Sequence, residues 1–449
     1  MKTKNSNHWC ALLLAAWLLP LGLSAQNEQN CFGILAGRLT TVDGSVLLGH
    51  NEDDEGEQML NMYVAPRDEA RGTVKFLWAE FVGQEIADAF MNEYGVSVVS
   101  DNCPSQEEGR DFTDGGILYK IRFDVAKYAH SAREAVKIIA RNVEQYGYRS
   151  SGRTYIVADA REGWLVSLVQ GRRWVAQRVP DDKVMTIPNY YVLDKINLAD
   201  TLNFMGSSDI VSYAISRGWY NPDTDGEFSF RRAYAAQWTI NDRWNQDRHA
   251  KLLKHFLGEN YAYDVNTVGP FLTPQRKLGV QDIIDALSIH YDADTDGHEK
   301  GLVCNNNTVI SVVCQMRSNL PPDVANIMWT SPGRPCSEVF VPWYIGMTQS
   351  PAHWTRFSSW QEAEQKHFTD AKDLQANYPQ GAYWPHVDRW IAGGKQHSAL
   401  HSQARQQRRQ AQQSLFEQQQ AFEKKCVKQS PSNRAKAMNR FVAKLTKQF

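Results

Sequence analysis

The chain has 449 residues, of which 42% are hydrophobic, 11% aromatic and 22% charged. This is the composition of a globular protein with a large buried core, with room for roughly two or three domains. The 49 basic and 50 acidic residues give a formal net charge of −1, which argues against nucleic-acid binding by the chain as a whole.

The amino terminus has the pattern of a secretory signal over residues 1–25. Lys2 and Lys4 precede an apolar run from residue 11 to residue 23, which is too short for a comfortable transmembrane helix. Cleavage after Ala25 would leave a short leader, residues 26–30, ahead of Cys31. We therefore expect an exported protein, periplasmic or extracellular, without stable membrane insertion.

The stretch that begins at Cys31 is the first candidate for chemistry. Apolar runs at 32–36 and 46–48 flank an Asp43-Gly44 turn signal and lead into His50, Asn51, Glu52 and Asp53. This pattern predicts a β-hairpin that returns Asp53 towards Cys31. If processing exposes Cys31 as the first residue, its α-amine, with an ordinary pKa of about 7.7–8.0, can act as the base for the thiol. On spacing alone, an ordinary buried cysteine and a solvated acid remain the alternative.

Mixed elements follow in chain order. Residues 74–82 predict a strand, residues 91–103 a second hairpin, and four short strands lie between residues 155 and 187. A capping box at 131–134 predicts a helix that ends at Gly147. Further helices are predicted at 210–219, 233–244 and 280–288. This order of strands and helices predicts an α+β fold.

The character of the chain changes from about residue 350. The sequence becomes helical and rich in glutamine, and beyond His401 it carries many basic and few acidic residues. We expect a packed helical region here with a frayed basic end. The predicted organisation is therefore a signal peptide at 1–25, a propeptide at 26–30, a catalytic domain at 31–349 and a helical C-terminal region at 350–449.

Several separated motifs resemble peptidase family C69, the dipeptidase A family. They are Cys31, Asp43-Gly44-Ser45, Asn51-Glu52-Asp53, residues 317–322 (Arg-Ser-Asn-Leu-Pro-Pro) and residues 335–344 (Pro-Cys-Ser-Glu-Val-Phe-Val-Pro-Trp-Tyr). The resemblance covers most of the chain from Cys31 to about Gln349. It implies the four-layer αββα sandwich of N-terminal nucleophile hydrolases, with a helical subdomain after it. It also implies a cysteine dipeptidase of broad specificity with Cys31 as nucleophile.

The resemblance also implies roles for polar residues near the nucleophile. Asn102 and Asn189 each follow a short apolar strand and match the oxyanion-binding asparagines of related amidases, although capping of a turn is the simpler interpretation of either. Those relatives carry an arginine three residues before the aspartate that matches Asp53, and here that position is His50. A further arginine is expected near the site, and Arg232 is the best match.

Substrate recognition is the least determined part. A dipeptidase needs charged groups for a free amine or carboxylate, and Glu52, Asp54 and Arg232 are the candidates. We expect small peptide substrates, no metal and no cofactor, since no metallopeptidase motif such as HExxH is present; a homo-oligomer is compatible with the sequence. Two other functions remain open: an N-acyl amidase of the penicillin V acylase or bile salt hydrolase kind, and a catalytically inactive secreted binding protein.

Overall fold

A computed structural model of the protein describes residues 31–54, 60–290, 302–305, 307–336, 338–368 and 399–448. The predicted signal peptide and propeptide lie outside the described residues.

The sheet that carries the start of the described chain has six antiparallel strands. They are β1 (Phe32–Ala36), β2 (Val46–Asp53), β10 (Val184–Ile187), β12 (Thr308–Met316), β13 (Asn326–Pro332) and β14 (Val341–Tyr344). Their order is β10-β1-β2-β12-β13-β14. The predicted hairpin of β1 and β2 is confirmed, and Gly44, with a φ of 74°, forms part of its turn. Because β1 lies between β10 and β2, the backbone that follows Cys31 is held from both sides.

The second sheet has eight antiparallel strands. They are β3 (Leu60–Ala65), β4 (Phe76–Phe81), β5 (Ala89–Asn92), β6 (Ser97–Asn102), β7 (Tyr148–Ala158), β8 (Gly163–Gly171), β9 (Trp174–Val179) and β11 (Phe204–Gly206). Their order is β11-β9-β8-β7-β6-β5-β4-β3. The predicted strand at 74–82 and the predicted hairpin at 91–103 correspond to β4 and to β5 with β6.

Helices cover the outer faces of both sheets. Helices α1 (Lys120–Tyr128) and α2 (Ala132–Tyr146) pack on the eight-stranded sheet, and α7 (Val280–Leu287) packs on β2 and β12 of the other. The inner faces meet where β1 contacts β6 and β2 contacts β7. The protein therefore has the four layers α, β, β and α, as predicted.

Helix α2 begins at the predicted capping box. The Ser131 side chain accepts a hydrogen bond from the backbone N–H of Glu134, and Gly147 ends the helix with a φ of 80°. The Val136, Ile139 and Val143 side chains are buried on one face, as the apolar spacing requires.

The predicted single helix at 233–244 is wrong. The structure has α4 (Phe230–Tyr234), α5 (Gln237–Asn241) and α6 (Arg243–Leu257), separated by extended backbone at Ala235, Ala236 and Asp242. The Asp242 side chain accepts a hydrogen bond from the Trp244 N–H and so caps α6. This break starts a new helix that later supplies Arg248 to the site.

The remaining helices are short or lie near the C-terminus. They are α3 (Ile210–Ser216), α8 (Pro322–Ala325), α9 (Trp360–Gln365), α10 (Ala399–Cys426) and α11 (Pro431–Gln448), with a 3₁₀ turn at Ala352–Trp354. None of the helices within the described ranges is long and apolar enough to cross a membrane.

Helices α10 and α11 pack against the end of the six-stranded sheet. Glu423 on α10 accepts two hydrogen bonds of 2.8 Å from the Arg317 guanidinium, and Gln412 bonds to both backbone groups of Phe340. The predicted fraying of the basic end is not observed, because α11 is helical to Gln448 and Leu445 is buried.

Candidate active site

The register of the β1–β2 hairpin separates two sets of side chains. Gly33 lies opposite His50 and Phe32 opposite Asn51, and alternate residues of a strand face opposite sides of a sheet. Cys31, His50 and Glu52 therefore share the face towards the eight-stranded sheet, which we call the inner face. Asn51 and Asp53 lie on the outer face, towards α7.

The Cys31 thiol is bonded to a carboxylate on the inner face. Its Sγ donates a hydrogen bond of 3.0 Å to Oε1 of Glu52, and both residues are buried. Burial, followed by the negative charges of Glu52 and Asp101, raises the pKa of the Cys31 thiol well above its ordinary value. Burial also raises the pKa of the Glu52 carboxyl, while His50 opposes this shift. The thiol is thus protonated at neutral pH in this chain and needs a base to become nucleophilic.

Asp101 on β6 closes the inner face opposite Cys31. Its Oδ1 lies 3.5 Å from Nε2 of His50, which is also 3.2 Å from the Ser100 carbonyl oxygen. A Cβ on Gly33 would lie 2.4 Å from Oδ2 of Asp101. The missing side chain at Gly33 is therefore what allows the two sheets to bring this carboxylate beside the nucleophile.

Asp53 on the outer face is surrounded by donors. Thr308 Oγ1 donates a hydrogen bond of 2.6 Å to Asp53 Oδ1, Asn305 Nδ2 donates to Oδ2, and the Arg248 Nη2 lies 3.6 Å from Oδ2. Burial raises the pKa of Asp53 to about 7, with Arg248 and the two hydrogen bonds opposing the shift. Asp53 thus lies close to its own titration point at neutral pH.

Asn189 and Arg248 link these groups to the Cys31 backbone. The Arg248 guanidinium donates a hydrogen bond of 2.8 Å to Asn189 Oδ1 and one of 3.2 Å to the Cys31 carbonyl oxygen. Asn189 Nδ2 donates to the Asn102 carbonyl oxygen at 3.1 Å. Asn189 has a φ of 61°, a conformation that is uncommon outside glycine and often found at functional sites.

The structure brings most of the predicted site residues together, whereas Asp54 and Arg232 have contacts elsewhere. Asp54 is buried directly after β2, where its backbone N–H donates to the Asn307 carbonyl oxygen. Arg232 is exposed and donates to the Glu227 carbonyl oxygen at 3.0 Å. The arginine at the nucleophile is Arg248 instead.

Sequence reasoning missed Arg248 and Asp101. The Asp242 cap, followed by Trp244, Arg248 and Leu252 at a spacing of four, was the available signal for helix α6. Asp101 directly precedes Asn102 at the end of β6, and only the approach of Gly33 from the other sheet identifies it as a site residue.

The sequence of this chain is similar to those of known peptidases. A family model described as "Peptidase family C69" matches residues 117–376, and the chain belongs to this family of peptidases. Dipeptidase A of Lactobacillus helveticus is 23% identical over 73% of this chain and 77% of its own. A probable dipeptidase of Salmonella dublin is 30% identical over 49% of this chain and 52% of its own.

A solved structure of penicillin V acylase from Agrobacterium tumefaciens is also similar. It is 13% identical, with a TM-score of 0.36, over 70% of this chain and 86% of its own.

Proposed function

We propose that this chain is an exported cysteine dipeptidase of broad specificity whose processed form begins at Cys31. The observation that carries the proposal is the position of Cys31. Its thiol is bonded to Glu52, and its carbonyl oxygen to Arg248, in a buried cluster at the head of β1. Two relatives named dipeptidases support the choice of substrate.

The reaction begins when the free α-amine of Cys31 takes the proton of its own thiol. The thiolate then attacks the carbonyl carbon of the substrate peptide bond, and the Cys31 ammonium returns the proton to the leaving amine. Water hydrolyses the resulting thioester and regenerates the thiol.

The surrounding residues position this chemistry. Asp53 holds the amine of Cys31 by a charge-assisted hydrogen bond, and Arg248 fixes the adjacent carbonyl oxygen. The Asn189 amide donates to the oxyanion. The Arg248 guanidinium bonds both to Oδ1 of Asn189 and to the Cys31 carbonyl oxygen, and so holds this amide near the nucleophile.

The inner face supports the preference for unblocked substrates. Glu52 and Asp101 are buried carboxylates beside the thiol, and a substrate ammonium group is the cation that such a face favours. An acylated amine carries no such charge and forms no ion pair there.

One panel of substrates tests the reaction. The processed protein is given free dipeptides, the same dipeptides with acetylated amines, tripeptides, penicillin V and a conjugated bile acid. We expect cleavage of free dipeptides, insensitive to EDTA and blocked by thiol reagents. Cleavage restricted to the acyl amides contradicts the proposal and favours the N-acyl amidase.

Mass spectrometry of the amino terminus tests processing separately. A start at Cys31 supports the nucleophile, whereas a chain that starts at Gln26 has an acylated Cys31 amine and favours the inactive binding protein.

A further inference from the structure

Three donor groups of different chemistry meet on the inner face. They are the thiol of Cys31, the imidazole of His50 and the carboxylate of Glu52, and one ligand atom from each lies within 4.8 Å of the others. Their placement follows from the hairpin, because His50 and Glu52 are two residues apart on β2 and Cys31 directly precedes the neighbouring strand β1.

We infer that Cys31, His50 and Glu52 form a binding site for a thiophilic divalent cation, Zn²⁺ or Cd²⁺, and that the bound ion blocks the nucleophile. The blocking rests on the proposed function. The binding itself does not.

The donor set selects the class of metal. Thiolate, imidazole and carboxylate are the usual ligands of Zn²⁺, with bonds of about 2.0–2.3 Å, whereas Mg²⁺ and Ca²⁺ take oxygen ligands. Sγ of Cys31 and Oε1 of Glu52 are already 3.0 Å apart and share a proton. A metal ion would replace that proton, which leaves to solvent as the thiol becomes a thiolate.

The surroundings also suit a cation. Oε2 of Glu52 is buried and, within the described part of the chain, accepts no hydrogen bond, so this carboxylate has unused acceptor capacity. Asp101 and the Ser100 carbonyl oxygen lie beside Nε2 of His50, and contacts of this kind orient a metal-bound imidazole. A thiolate and a carboxylate together balance the charge of a divalent ion.

Processing would complete the coordination. Three protein ligands leave the fourth tetrahedral position open, and the free α-amine of processed Cys31 can fill it through a five-membered ring with the thiolate. A site closed in this way offers no position to water or substrate, and the sulfur that should attack the peptide bond is held by the metal. We therefore expect stronger binding by the processed protein than by the chain that retains its leader.

The test uses full-length protein processed to Cys31, titrated with Cd²⁺ and Zn²⁺. Calorimetry gives the stoichiometry and affinity, and ultraviolet absorption detects the charge-transfer band of a cadmium thiolate. We expect one ion per chain. His50→Gln and Glu52→Gln should each weaken binding by at least about tenfold, since even residues that only support a ligand typically contribute about 10–100-fold. Circular dichroism verifies that each variant is folded.

Two other thiols provide a matched control. The side chains of Cys304 and Cys336 are hydrogen-bonded to each other and are an alternative place for a thiophilic ion. The double variant Cys304→Ala, Cys336→Ala should keep the band, the stoichiometry and the weakening by Glu52→Gln. A band that persists in Cys31→Ala, or that disappears in the double variant, overturns the proposed site.

Activity measurements separate this inference from the proposed function. Loss of dipeptide hydrolysis on addition of one equivalent of Zn²⁺, with recovery on addition of EDTA, is the expected result. Full hydrolysis by protein that has bound one equivalent of Zn²⁺ overturns the blocking role. A protein that binds the ion through Cys31 but hydrolyses no dipeptide contradicts the proposed function and leaves the metal site in place.

Discussion

The two faces of β2 differ in how completely their polar groups are satisfied. On the outer face, the carboxylate oxygens of Asp53 accept hydrogen bonds from Asn305 and Thr308 and lie beside Arg248. On the inner face, Glu52 bonds to the thiol through one oxygen, and its other oxygen accepts no hydrogen bond from the described residues. Of these two adjacent residues, Asp53 thus has a hydrogen-bond donor at each carboxylate oxygen, whereas Glu52 has a donor at only one.

This difference separates positioning from chemistry. A buried group with all its partners is held in one place, and changing it disturbs the structure around it. A buried group with unused capacity is costly to the fold, so its presence beside a nucleophile indicates binding or proton transfer. The following predictions test this division.

The largest expected effect is that of Cys31→Ala. Removing the inner-face thiol should lower dipeptide turnover by about 1000-fold or more, because no other group can form the thioester. The free energy of unfolding should fall by no more than about 3 kcal/mol, because the variant leaves the buried Oε1 of Glu52 without its donor. Turnover assays and urea unfolding measure the two effects, and substantial hydrolysis by a processed Cys31→Ala protein would rule out the nucleophile.

Asn189→Ala should have the next largest effect. Loss of one oxyanion donor typically lowers the rate by about 100- to 1000-fold. The left-handed backbone at Asn189 is strained further by alanine, so Asn189→Gly is the matched control for the conformation. If either variant retains near-normal turnover, Asn189 does not bind the oxyanion.

Asp53→Asn should change how stability depends on pH. The pKa of Asp53 is raised from 3.8 to about 7, so the folded protein binds the proton more tightly than the unfolded chain. This contribution to the free energy of unfolding is complete below pH 3.8 and is lost as the pH rises towards about 7. Asparagine resembles the protonated acid but does not titrate.

Urea unfolding at several pH values measures the expected difference. Between about pH 4.5 and about pH 6.5, the free energy of unfolding of the wild type should fall more steeply than that of Asp53→Asn, by at most about 1.4 kcal/mol per pH unit. Parallel curves would show that Asp53 does not titrate in this range. At neutral pH, Asp53→Asn should raise the activation free energy of turnover by more than it lowers the free energy of unfolding. Full turnover by this variant would contradict the role of Asp53 in holding the amine.

The smallest effect is expected for Arg232→Ala. Its exposed side chain donates a hydrogen bond to the nearby Glu227 carbonyl oxygen, so the free energy of unfolding should change by no more than about 0.5 kcal/mol. Arg248→Lys is the matched variant at the site. A lysine cannot bond to both Asn189 and the Cys31 carbonyl in the same fork, and turnover should fall. If Arg248→Lys and Arg232→Ala had equal turnover, the guanidinium of Arg248 would have no role in positioning the reacting groups.

Local signals in the sequence predicted the hairpin and helix α2. The Asp43-Gly44 turn and the Ser131 cap each depend on contacts within a few residues. The hairpin was predicted to return Asp53 towards Cys31, and Glu52 was predicted to bind substrate, but Glu52 is the residue bonded to the thiol. The reason is strand alternation, which places Asp53 on the other face once the register of the hairpin is known.

Long-range contacts could not be predicted from one sequence. Arg248 and Cys31 are 217 residues apart in the chain. Several other arginines of the sequence could equally be the arginine expected near the nucleophile. The break at Asp242 decides which helix carries the site arginine. Asp101 likewise depends on the spacing of two sheets at Gly33.

The pairing of β2 with β12 has a consequence for the order of folding. The hydrogen-bond donors to Asp53 are Asn305 and Thr308, which follow it in the chain by 252 and 255 positions. The first strands to be synthesised therefore cannot complete their sheet until some of the last strands have been made. Non-local strand pairing of this kind is slow. A nascent chain that ends before residue 305 contains the thiol and Arg248 but lacks the two side chains that donate hydrogen bonds to Asp53. Newly made protein should therefore remain inactive until its last strands have joined the sheet, which delays any peptidase activity until synthesis is nearly complete.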